Sequence, residues 1–97
     1  MVLLYDNFEL LESKSELLKT MGHPIRLSIV QLLSDSEELT VTEIYSKLEI
    51  EQAVASHHLR IMKNGNVLKS SKKGKNNFYS LTHPNIKSIF DLLLEFD

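Results

Sequence analysis

Two short segments with helical apolar spacing, Thr40–Leu48 and about Glu51–Asn64, are separated by almost nothing, since Glu49-Ile50-Glu51 is too short for anything but a tight helix–helix turn. The first segment opens on Thr40 with Glu43 three residues later, the spacing of a capping box, and Val41, Ile44 and Leu48 form its apolar stripe. The second stops at Gly65, a common residue where helices end. Two helices tied this closely read as a helix-turn-helix over about 40–64. Each has one apolar stripe to bury, so the rest of the chain must supply the core that receives them.

The flanking sequence fits that demand. Residues 7–21 carry Phe8, Leu10, Leu11, Leu17, Leu18 and Met21 at helical spacing, with Glu9, Glu12, Lys14 and Glu16 on the wet side. Gly22 breaks that helix, and Pro24 suits the first turn of the next, where its missing N–H has no partner to lose. Ile25, Ile29, Leu32 and Leu33 then recur up to Asp35. After Gly65, Val67–Ser71 and Asn77–Leu81 flank the turn-prone run Lys72-Lys73-Gly74-Lys75-Asn76, which predicts a β-hairpin with a cationic tip over about 67–81. His83-Pro84 opens a last helix. The expected order is α-α-α-α-β-β-α, an α+β but mainly α winged helix-turn-helix, in a single domain spanning residues 1–97.

Charge is sorted along this frame. Residues 52–90 contain no Asp or Glu and seven of the 11 Lys and Arg, whereas residues 1–51 hold four bases against ten acids and residues 91–97 hold three acids. The formal net charge of −2 hides this segregation, which is suited to a polyanionic partner. On a helical wheel, Ala55, Leu59 and Met62 fall together, flanked by Val54, His58 and Ile61. Gln52, Ala53, Ser56, His57, Arg60, Lys63 and Asn64 fall opposite. Arg pairs with guanine and Gln with adenine through two hydrogen bonds each, and Ser adapts to either, so this acid-free face has the chemistry that reads base edges in a major groove. His57 lies on the reading side. His58 lies on the apolar arc and is expected to be packed with a hydrogen-bond partner. In the hairpin, Lys69, Lys72, Lys73 and Lys75 act as point charges for phosphate, with Asn76 beside them, while Tyr79 and Leu81 share the face that anchors the wing.

Both ends are more apolar than one small core can absorb. Phe8 and Leu11 in the first helix, with Ile86, Ile89, Phe90 and Leu93 in the last, are expected to form a homodimer interface from segments 7–21 and 84–96. Lys87 is assigned to that end rather than to DNA. The chain has no Cys, which excludes disulfides, thiolate metal sites and thiol redox switches. Its apolar runs are too short to span a bilayer, and its N-terminus has no secretory pattern, so a cytoplasmic location without membrane contact is expected.

Three segments together resemble one family. Leu17-Leu18-Lys19-Thr20-Met21-Gly22-His23-Pro24-Ile25-Arg26-Leu27, Ala55-Ser56-His57-His58-Leu59-Arg60-Ile61-Met62-Lys63 and Phe78-Tyr79-Ser80-Leu81 are similar to the ArsR/SmtB family of bacterial winged-helix repressors, over roughly residues 15–96. The resemblance implies a homodimer joined by its first and last helices. It places the helix holding Ser56, His57 and Arg60 in the major groove and the hairpin on flanking DNA. It also implies repression by occupying a promoter until an inducer weakens binding. The family's metal-sensing Cys-Val-Cys corresponds here to Thr40-Val41-Thr42, and hydroxyls are poor ligands for soft metals. Where other members place Asp and His pairs in the last helix, this chain has His83 and Asn85 near its start and Phe96 near its end. His83 is therefore read as a cap or surface residue. No metal ligand set or cofactor is assigned, and the inducer is unknown.

The leading expectation is a dimeric repressor binding double-stranded DNA at a palindromic promoter site. A winged-helix adaptor for an acidic protein partner is the alternative. A metal site assembled across a dimer from first-helix carboxylates and His83 is a narrower option. An enzyme is disfavoured, because there is no phosphate loop, no nucleophile–base set, and no acid where the histidines cluster.

Overall fold

The computed structural model describes residues 6–97. Five helices and three strands follow in order: α1 (Phe8–Met21), α2 (Pro24–Asp35), β1 (Leu39–Thr40), α3 (Val41–Leu48), α4 (Gln52–Asn64), β2 (Leu68–Lys73), β3 (Asn76–Leu81) and α5 (Pro84–Leu93). The expected winged helix-turn-helix is present, with one addition. Leu39–Thr40 pairs with the hairpin, giving a three-stranded antiparallel sheet in the order β1-β3-β2, with Leu39 opposite Tyr79 and Thr40 opposite Phe78. Two residues carry no readable alternation, so pairing with distant strand β3 is what defines this element.

The helix boundaries have identifiable causes. His23 and His83 cap α2 and α5 identically, each ring Nδ1 accepting from the backbone N–H two residues on, at 3.1 and 3.0 Å, with Pro at the first helical position. At α3 the capping box closes in both directions, with Glu43 N–H donating to Thr40 Oγ1 at 3.2 Å and Thr40 N–H to Glu43 Oε1 at 3.0 Å. Those donors from Thr40 hold the Glu43 carboxyl below its ordinary pKa. Between α3 and α4, Glu49 adopts the left-handed conformation (φ 55°), which turns the chain at once into the next helix. The hairpin tip is tighter than expected. Lys73 pairs with Asn76, leaving only Gly74-Lys75 as the loop, and Gly74 alone there takes positive φ (64°), the pattern of a type II′ turn.

The core gathers Ile29, Val30 and Leu33 of α2, Ile44 of α3, Leu59 and Met62 of α4, Val67 and Leu68 at the hairpin base, and Ile86 and Phe90 of α5. Tyr79 and Leu81 pack against it as expected. Helix α1 joins only by its end, since Thr20 and Met21 are its buried residues. Gly65 ends α4 for a reason local patterning does not reveal. Its φ of −87° is open to any residue, but a Cβ there would lie 2.2 Å from Thr20 Oγ1. Glycine is required because α1 passes directly against the end of α4.

Candidate nucleic-acid interface

Helix α4 divides as its sequence pattern predicts. Ala55, His58, Leu59 and Met62 are buried. Gln52, Ala53, His57, Arg60, Lys63 and Asn64 are exposed, and Ser56 is half-buried. The exposed groups lie on the side turned away from the core. Glu51 stands at the N-cap position of α4 without a side-chain capping bond, and nothing in the first turn of α4 is acidic.

The wing exposes Lys69, Lys72, Lys73, Lys75, Asn76 and Asn77 along β2, the turn and the start of β3. Their availability differs. Lys73 Nζ forms an ion pair with Glu38, the residue before β1, and lies 5.4 Å from the centre of the Phe78 ring. Among the described residues, no acid pairs with Lys69, Lys72 or Lys75. Lys87 is bound within α5 to Asp91 at 2.8 Å, and that hydrogen bond holds its ammonium pKa above the ordinary value.

His58 is packed and hydrogen-bonded, with its Nδ1 3.2 Å from the Arg26 guanidinium. The His23 and His57 rings stand 4.5 and 5.2 Å from it, centre to centre. Burial first, then the neighbouring His23, Arg26 and His57, hold the His58 pKa below its ordinary value. Sequence periodicity placed His58 on the inner face, but it carried no sign of Arg26, which comes from another helix.

The terminal helices leave a large apolar surface. Phe8, Leu10, Leu11 and Leu18 of α1 are exposed, as are Leu92, Leu93, Leu94 and Phe96 at the other end. Two residues expected at a dimer contact sit elsewhere: Ile86 and Phe90 are buried in the chain's own core, at 3% and 7% exposure. A helix in a small domain presents one side to its own core, and these two occupy that side of α5. Ile89 is half-buried.

Among the described residues, no three His, Asp or Glu side chains are grouped so as to hold a metal ion. Thr40, at the position of the family's thiolates, is occupied in capping α3. No described helix is long and apolar enough to cross a membrane.

Residues 23–70, from the cap of α2 into the wing, match the family described as bacterial regulatory protein, arsR family. The chain is 43% identical over 83 residues to the transcriptional repressor PagR of Bacillus anthracis, covering 86% of this chain and 83% of PagR. This chain belongs to the ArsR family. Its fold matches the crystal structure of PagR with a TM-score of 0.82 at 41% identity, over 89% of this chain and 98% of that one. Reduced HlyU of Vibrio cholerae superposes with a TM-score of 0.81 at 30% identity, over 95% and 98% of the two chains. HlyU is named a transcriptional activator. A Mycobacterium bovis domain of the same fold, 23% identical with a TM-score of 0.82 over 91% of this chain and 81% of its own, is described as a homodimeric winged helix-turn-helix DNA-binding domain. This ArsR-family chain is thus a winged helix-turn-helix DNA-binding transcriptional regulator. The relatives named here are regulators of transcription, which leaves the acidic-partner adaptor without support.

Proposed function

We propose that this protein is a dimeric repressor that reads a palindromic promoter site. The observation that carries the reading is the acid-free outer face of α4, and the reading assigns Gln52, Ala53, Ser56, His57, Arg60 and Lys63 on it to base edges. Beside it, Lys69, Lys72, Lys75 and Asn76 of the wing hold phosphate, while Lys73 is shared with Glu38. Two copies joined through the exposed apolar groups of α1 and the C-terminal end, with Phe8, Leu11, Ile89 and Leu93 at the contact, would present two such faces to half-sites about one helical turn apart, roughly 34–36 Å. Ile86 and Phe90 support that contact from beneath. Repression rather than activation follows the resemblance to PagR, which is closer than that to HlyU at 43% against 35% identity.

Protection of an inverted repeat upstream of its own gene, followed by affinity measurements across salt concentrations, tests the proposal. Each protomer neutralises roughly four or five phosphates, so the log–log salt slope of the dimer is expected near −7 to −9. Arg60→Ala should lose about 1–3 kcal/mol of discrimination at one position per half-site, whereas Lys72→Ala should weaken all duplexes alike. A salt-insensitive affinity, or equal loss of specificity in both variants, overturns the assignment.

A further inference from the structure

The inner side of the recognition helix carries one buried polar side chain, His58. A guanidinium has no acceptor and stays protonated, so at the 3.2 Å contact Arg26 is the donor and His58 Nδ1 the acceptor. The bond therefore requires neutral His58 with its proton on Nε2. Two other Arg26 nitrogens donate to α1. Nε donates to the Thr20 carbonyl at 2.6 Å and Nη2 to the Lys19 carbonyl at 3.5 Å. Both carbonyls belong to the last turn of α1, where intrahelical partners run out. One side chain on α2 thus ties the end of α1 to the back of the reading helix.

We infer that Arg26 is a positioning residue for DNA reading: it sets α4 through unprotonated His58, and so links sequence discrimination to the protonation of a side chain that faces away from DNA. The inference rests on the DNA-binding function assigned above. The charged and titratable groups facing His58 are Arg26 and His23 from α2 and its cap and His57 from α4, and α1 contributes only carbonyl oxygens, through Arg26. Each acts against the imidazolium, and among the described residues no carboxylate opposes them. Protonation puts an N–H on Nδ1 directly against a guanidinium N–H, so the pair must separate. Because the fold favours the neutral ring, its contribution to stability is complete above the ordinary imidazole pKa of 6.5 and is lost as pH falls below that value. His57 on the reading face is the next residue in the helix, so a displacement of His58 moves Ser56, His57 and Arg60 with it.

Simple electrostatics predicts the opposite trend, because acid adds positive charge and strengthens non-specific binding. The test therefore compares a duplex enriched by the wild-type protein from a random pool at about pH 7.5 with a scrambled duplex, at fixed salt, down to about pH 5.5. The wild-type affinity ratio should fall severalfold between those two pH values. His58→Gln keeps an acceptor for Arg26 without a titrating ring, so its ratio, whatever its starting value, should not change with pH. Arg26→Gln should begin near the ratio that wild type reaches in acid. A wild-type ratio that holds, a His58→Gln ratio that falls like wild type, or an Arg26→Gln variant that melts earlier while keeping its ratio overturns the inference. NMR of the wild-type protein without DNA provides an independent arm. The amides of Gln52, Ser56 and Arg60 should shift with the His58 ring titration, and amides that stay still while the ring titrates overturn the proposal. Failure to enrich any duplex would instead strike the DNA-binding reading, while the NMR arm still decides the coupling.

Discussion

At the scale of single residues, several positions do work that their type alone does not announce. His23 and His83 act as helix caps, and each owes this to the following Pro, which starts the helix without needing a partner for its nitrogen. Gly65 is the most constrained of them. Adding one methyl group drives it into Thr20 Oγ1 and Cγ2, at 2.2 and 2.6 Å, so Gly65→Ala should destabilise the fold by about 1–3 kcal/mol through overpacking. Thr20→Ala removes the two closest atoms and should recover part of that loss, as urea unfolding of the single and double variants would reveal. Additive losses would mean that the two residues do not meet as described.

At the scale of elements, the wing is held by more than its own hairpin. Strand β1 adds a third strand to the sheet, and Glu38 just before it reaches across to Lys73. That pair neutralises one wing cation and steadies the wing against the body of the domain. Glu38→Gln should release Lys73 for phosphate, steepening the salt slope of DNA binding by about one unit per protomer without changing which sequence is preferred. An unchanged slope would mean that Lys73 already leaves Glu38 when DNA binds. Lys72 and Lys75 have no such competitor among the described residues, so their removal should flatten the slope.

At the scale of the whole molecule, the chain is less compact than its length allows. The radius of gyration is 14.9 Å, against about 12.5 Å for a compact chain of this length, because α1 projects from the core that holds only its C-terminal end. Phe8 and Leu11 on one side and Leu93 and Phe96 at the other end are left open to solvent. If two copies cover these groups, the melting temperature should rise with protein concentration. Leu11→Asp combined with Leu93→Asp should give a monomer by sedimentation and remove most of the affinity for a two-half-site duplex. A variant that remains dimeric would place the contact elsewhere.

Much of this architecture could be read locally, because helical and strand periodicity are properties of neighbouring residues. The division of α4 into exposed and buried faces, the Thr40–Glu43 box and the cationic hairpin all follow from spacing. The inner position of His58 follows in the same way. Features made by approach between distant segments could not be read. Spacing alone cannot show that Leu39 meets Tyr79, that Glu38 meets Lys73, or that Thr20 demands glycine at 65. Nor could it separate Ile86 and Phe90 from Leu93, since the three share one apolar stripe and spacing does not reveal how much of it the chain's own core will claim. The sequence by itself determined every described element except β1, the sorting of charge and the family. Tertiary structure alone decided which charges are occupied, which apolar groups remain open, and that Arg26 reaches the back of the reading helix, because those outcomes depend on distances across the fold rather than along the chain.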